Sequence, residues 1–355
     1  MHLGLGLYRD LLTEENFRFA RQAGATHLVV HLVDYFQGRS PSLSSGPETQ
    51  GWGRTSGRPW RYDELVALKQ KIEAHGLVWE AIENFDPGHW HDVLLDGPRR
   101  EEQLEGLKAM IRDVGRAGIP IIGYNFSLAG VWGWTKGPFG RGGATTVRYD
   151  EAAIDKDVPI PNGMVWNMVY DPDAPEGYLE PVSSEELWRR FAAFLEEVVP
   201  AAEEAGVRLA LHPDDPPADR LRRTARLVNR PEKYQRALDL VPSEANALEF
   251  CLGSLQEMPG AGDEAVYESI ARYGGQGKIA YVHFRNVRGK VPRYEETFVD
   301  EGDLDMLRVL RELKAVGYEG VLIPDHTPEM SCDAPWHAGM AYALGYMRAA
   351  MQAVL

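Results

Sequence analysis

Cysteine is nearly absent from this chain: Cys251 and Cys332 are the only two in 355 residues. A disulfide framework is excluded as the source of stability, one bridge at most being open, and a reducing cytoplasm is the default compartment. Long apolar runs are also missing. None approaches the roughly 20 residues that span a bilayer, so no membrane helix is expected. Basic charge is scarce: 38 Lys and Arg stand against 53 Asp and Glu, a formal net charge of −15. That deficit argues against sequence-independent binding to nucleic acid, which relies on a basic surface, and against a polybasic membrane contact. The opening residues, MHLGLGLYRDLLTEEN, lack a basic segment followed by an apolar core. They read as a strand and a turn rather than a secretion signal.

What the chain does have is an alternation of two patterns. Short runs rich in Val, Ile and Leu occur at 3–8, 26–32, 77–83, 119–126, 207–212, 247–251, 278–284 and 320–325. Such runs suit strands buried on both faces. Amphipathic helical patterns lie between them at 13–24, 62–76, 100–118, 184–206 and 303–317. Several open on Thr, Ser or Asp and close near Gly, which is the chemistry of helix caps and stops. Eight strands, mostly with helices between, predict a (β/α)8 TIM barrel occupying residues 1–355 as one domain. Two segments break the period, 35–61 and 127–183. Both follow strands and are expected as insertions on the C-terminal rim, where long loops serve as lids or interface arms.

The rim is where the chemistry collects. His212 in LALHPDDPP, Cys251 in LEFCLGS, His283 in IAYVHFRNV and Asp325 in VLIPDHTPE end four successive strands, at intervals of 39, 32 and 42 residues. Each interval is about one strand-plus-helix unit, and a closed parallel barrel brings successive strand ends to one rim. Taken singly, the histidines read as structural, Cys251 as a small buried residue and Asp325 as a helix cap. Together they predict a metal site. The mixed N, S and O donors suit a divalent transition ion, with Mn²⁺, Fe²⁺ and Zn²⁺ all open on ligand type alone. His326, next to Asp325, is the candidate general acid or base. Arg285 could hold a substrate carboxylate with its two-pronged guanidinium. Tyr124, Asn125, Asp214 and Trp132 are further candidates for substrate contact, and Glu83 for an extra ligand or a base. Asp215 could equally be a turn residue, like Asp214.

These residues carry a resemblance. GYNFSLAGVWGWT, LALHPDDPP, FCLGS, VHFRNV, EETFVDEGDLDM, PDH and GMAYALGY, in this order from about residue 77 to the end, resemble the mannonate dehydratase family. The resemblance implies a metal-dependent barrel enzyme that converts D-mannonate to 2-keto-3-deoxy-D-gluconate and water, with Mn²⁺ foremost and Fe²⁺ as the alternative. It places the ligands on His212, Cys251, His283 and Asp325, and the catalytic histidine on His326. The loop TPEMSCDAPWHAG departs from the family pattern, in which some members carry a catalytic tyrosine there. His337, Tyr342 or Tyr124 is expected to replace it. The SLAGVWGW stretch also differs. A sugar acid is the expected small-molecule partner, and further copies of the chain the expected assembly. A metal-dependent sugar isomerase or epimerase on the same barrel, or a dehydratase of another sugar acid, is the alternative; Cys251 counts against the former, whose sites favour carboxylate ligands.

Overall fold

Eight short parallel strands close in chain order into a barrel: β1 (His2–Leu7), β2 (His27–Val30), β3 (Val78–Glu83), β4 (Ile121–Tyr124), β5 (Arg208–Leu211), β6 (Asn246–Cys251), β7 (Ile279–His283) and β8 (Val321–Ile323). The computed structural model describes residues 1–35 and 53–354. Each of the eight predicted strands is one of these, within two or three residues at either end. The five predicted helices are also present, as Glu14–Gln22, Tyr62–Glu73, Arg100–Arg116, Ser184–Ala205 and Met306–Ala315. Cap chemistry starts three of them. The side chains of Thr13, Ser183 and Asp305 accept hydrogen bonds from the first-turn amides of Asn16, Glu186 and Leu307, groups that have no partner within the helix.

Strand alternation sorts the side chains, since successive residues point to opposite faces. Val29, Ala81, Ile121, Ala247, Tyr281 and Ile323 fill the barrel interior as one buried cluster. Leu28, Ile82, Ile122, Leu248, Val282 and Leu322 belong instead to the larger core beneath the helices. The interior is crowded at one level. A Cβ on Gly123 would collide with the Tyr281 hydroxyl and the Glu249 carboxylate, so glycine is required there by close approach rather than by backbone conformation.

The segment 127–183 does more than extend the rim. Trp134–Gly137 and Thr146–Asp150 pair antiparallel, and the latter pairs with Arg293–Glu296, which returns to Val287–Lys290. The result is a four-stranded sheet standing over the barrel mouth. Sequence reading expected a loop here, because these strands are short and half polar. The pairing that joins the two hairpins, Thr146–Asp150 with Arg293–Glu296, also spans about 145 residues, so no local pattern announces it. Most of the other expected insertion, 35–61, lies outside the described residues.

Candidate active site

The inner face at the C-terminal ends of the strands holds a small cavity, about 70 Å³, lined by Tyr8, His31, Glu83, His212, His283, Asp325 and His326, among others. A second space of about 250 Å³ adjoins it through Tyr8, Trp134, Asp325 and His326. It is bordered by Lys136 and Glu329, whose side chains pair at 2.6 Å.

Ligand atoms of His212, Cys251 and His283 all lie within 4.8 Å of one another. Asp325 Oδ2 approaches His283 Nδ1 at 3.4 Å. The set suits a divalent ion. His212 Nδ1 donates to the Pro213 carbonyl at 2.6 Å, leaving Nε2 as the nitrogen to bind. His283 Nδ1 is buried without a hydrogen-bond partner among the described residues. Burial would keep the Cys251 thiol protonated, but Arg285, His212 and His283 hold it well below the ordinary thiol range, and the thiolate is the ligating form. Ser254 supports that sulfur with its hydroxyl at 3.2 Å and its amide at 3.4 Å. For His212, burial opposes the charge, yet Glu249 and Cys251 raise it to about 9.

A second layer of ionisable groups lies around these. Glu83, Glu249 and His283 form another group within 4.8 Å. His283 Nε2 is 3.2 Å from Glu83 Oε2 and 3.1 Å from Glu249 Oε1. Burial opposes the charge on Glu83, but His31 and His283 hold it down at about 2. Burial and the adjacent Glu83 push Glu249 up to about 8. His326 Nδ1 donates to Glu296 Oε1 at 2.9 Å, and its ring meets Trp134 edge-on, centroids 5.4 Å apart. Burial works against its proton, while Asp325 and Glu296 raise it to about 9.

Arg285 corrects the sequence expectation. Its guanidinium is 2% exposed and already committed. It pairs with Asp215 at 2.6 Å, with Glu257 at 3.4 Å, and with Glu296, while Nε lies 3.5 Å from Asp325. It also donates to Cys251 Sγ at 3.4 Å. Such a hub holds the anionic ring together and offers nothing to a substrate carboxylate. The packing requires Gly253 of the FCLGS motif, since a Cβ there would collide with the guanidinium.

Five other expectations move. Tyr124 shares the outward parity of Ile122 and packs among Trp90, Phe191 and Phe194. Its hydroxyl is buried with no hydrogen-bond partner among the described residues. His337 packs edge-on against Phe19 and binds Asn16 at 2.9 Å, on the helix Pro335–Val354. Tyr342, on the same helix, accepts from Arg141 at 3.3 Å and packs on Phe298. Trp132 is buried beside Arg222, and Trp134 lines the cavity in its place. Asp214 accepts from the Val228 amide at 2.8 Å and pairs with Arg226 at 3.2 Å, so it braces a turn while Asp215 meets Arg285. Asn125 does reach the cavity, though its amide also accepts from Trp166 at 3.0 Å and donates to Pro213.

Sequence reasoning missed Tyr8, His31, Glu249 and Glu296. Three were within reach. Tyr8 ends the first strand run and His31 lies at the end of the second, the same position that singled out the four candidate ligands. Glu249 lies two residues before Cys251 and shares its inward face. Glu296 gave no such signal, because it arrives on a hairpin outside the barrel.

A family model described as D-mannonate dehydratase (UxuA) matches residues 50–354. A mannonate dehydratase of Streptococcus pneumoniae (strain 70585) is 33% identical over 282 residues, covering 76% of this chain and 75% of its own. The crystal structure of mannonate dehydratase from Streptococcus suis serotype 2 aligns with a TM-score of 0.77 at 25% identity, over 99% of this chain and 93% of that one. D-psicose 3-epimerase from Clostridium cellulolyticum H10 aligns with a TM-score of 0.58 at 11% identity, over 99% of both chains. That likeness is one of fold alone, and the isomerase or epimerase alternative is not favoured. Motifs, barrel and matched length agree: the chain belongs to the D-mannonate dehydratase family, a family of hydro-lyases.

Proposed function

We propose that this chain dehydrates D-mannonate to 2-keto-3-deoxy-D-gluconate and water. His212, Cys251, His283 and Asp325 would hold a divalent ion, Mn²⁺ first and Fe²⁺ second. The observation that carries this reading is the convergence of His212, Cys251 and His283 beside a cavity that also presents His326. When bound, the ion supplies Lewis acidity that makes the hydrogen next to the substrate carboxylate easier to remove.

The protein's own groups move the protons. The reaction takes one proton from carbon 2 and delivers one to the hydroxyl that leaves carbon 3. His326 is one carrier. Glu296 holds its Nδ1 at 2.9 Å, which fixes the ring while Nε2 remains on the side of Asp325. Tyr8 is the other. It lines the cavity beside Asp325 and His326, whereas Tyr124, His337 and Tyr342 are turned elsewhere. Burial and the charge of Asp325 keep its phenol protonated far above neutrality. Trp134 and Trp166 wall the cavity and, with the sheet that carries Trp134, exclude water from the reacting carbons.

The test combines metal analysis with a product assay. Cys251→Ala and His283→Ala lose bound metal and activity together, while His326→Ala keeps its metal and loses turnover. Full activity of Cys251→Ala in the presence of chelator would refute the metal reading.

A further inference from the structure

The two imidazoles expected to hold the ion are braced in opposite ways. His212 is fixed by a main-chain carbonyl on Nδ1. His283 has no such contact on Nδ1. Its Nε2 instead meets Glu83 Oε2 at 3.2 Å, and Nδ1 faces Asp325 Oδ2 at 3.4 Å. A ligating histidine is commonly set by what its other nitrogen donates to, and a carboxylate in that role also makes the imidazole a stronger donor to the ion.

Glu83 is itself held. Its other oxygen, Oε1, faces His31 Nε2 at 3.7 Å. His31 Nδ1 meets the Tyr35 hydroxyl at 3.0 Å. The side chain of Asn84, the next residue after Glu83, donates to that same hydroxyl at 3.0 Å. Strand ends β2 and β3 thus carry a buried polar chain that terminates on the far side of the His283 ring. Glu249 lies below, fully buried, with Oε1 at 3.1 Å from the same Nε2. Glu83 Oε2 is thus the acceptor for a proton on Nε2, while Nδ1 faces Asp325 Oδ2 at 3.4 Å.

We infer that Glu83 is a positioning residue for the metal centre: it accepts the Nε2 proton of His283 and so commits Nδ1, on the Asp325 side, to the ion. This rests on the reading of His283 as a ligand, and it assigns Glu83 a role outside the ligand set. The competing arrangement is a second ion held by Glu83, Glu249 and His283 Nε2.

Nitrogen NMR on histidine-labelled, zinc-loaded full-length protein tests this directly, with the His283 signals assigned through His283→Asn. The expected result is a proton on Nε2, a metal shift on Nδ1 and one zinc per chain. Glu83→Gln, which keeps an acceptor oxygen, retains that tautomer with a small loss of affinity. Glu83→Ala weakens zinc binding by about 10- to 100-fold and lets the tautomer become mixed. A metal shift on Nε2, two zinc ions per chain, or an unchanged affinity in Glu83→Ala would overturn the inference. Absence of a metal shift on either His283 nitrogen would instead overturn the ligand reading on which it rests. Should Glu83→Ala fail to fold, the wild-type tautomer decides alone.

Discussion

Tyr8 and Tyr124 both stand at the ends of barrel strand runs, yet they face opposite ways. Tyr8 lines the cavity with His326, and Tyr124 is sealed among aromatic rings under the helices. Removing either hydroxyl therefore has opposite consequences. Tyr8→Phe is expected to keep its metal and lose about 10²- to 10⁴-fold in kcat, the usual worth of a positioned acid or base. Tyr124→Phe is expected to keep wild-type kcat. It also removes a buried hydroxyl lacking a partner among the described residues, a burden of about 1–3 kcal/mol, so its Tm holds or rises. Steady-state kinetics and thermal melts on the pair check both. At Arg285 the expectation concerns folding. Arg285→Ala leaves Asp215, Glu257 and Glu296 facing one another without their cation, and is expected to cost about 3–5 kcal/mol, read as a lower midpoint in denaturant. The positions of His212, Cys251, His283 and Asp325 were legible in sequence because strand ends recur at a fixed period and one face points inward. The roles of Tyr124 and Arg285 were not. A one-residue step along a strand reverses the face, and a motif does not reveal which buried acids surround a guanidinium.

Among the elements, the four-stranded sheet over the mouth matters most for the site. It supplies Glu296 to His326 and Trp134 to the cavity wall. It is tied down by a buried relay in which Trp134 Nε1 donates to the Tyr294 hydroxyl at 2.8 Å and that hydroxyl donates to Asp215 at 3.0 Å. Trp134→Phe breaks the first link while keeping an aromatic wall. Metal content should be unchanged and kcat/KM should fall about tenfold, equivalent to about 1.4 kcal/mol of lost transition-state positioning. A variant that lost metal as well would place Trp134 closer to the ion than its contacts suggest. Barrel strands and their helices could be read from local periodicity, since each is a run of one pattern with a cap or a glycine at its end. This sheet could not, because the pairing of Thr146–Asp150 with Arg293–Glu296 joins segments about 145 residues apart.

At the scale of the whole molecule, chain order is barrel order, and that regularity brings His212, Cys251 and His283 together from distant positions. An ion bound at that site also links strands β5 to β8, so binding and folding are coupled. A ligand bound to the native state alone, at 100 times its dissociation constant, stabilises by about 2.7 kcal/mol. Chelation is therefore expected to lower the Tm of the wild-type protein and to leave that of Cys251→Ala unmoved, which calorimetry with and without chelator would show. Among the described residues no helix is long and apolar enough to cross a membrane, in keeping with the absence of long apolar runs in the sequence. Metal-loaded protein should be incubated with D-mannonate and, separately, with a panel of other hexonates and pentonates, and the products separated and identified. The expected product from D-mannonate is 2-keto-3-deoxy-D-gluconate, abolished in a His326→Ala protein that still carries its metal. Unchanged D-mannonate in the presence of the metal-loaded wild-type protein, or full turnover in chelator, would contradict the proposed reaction.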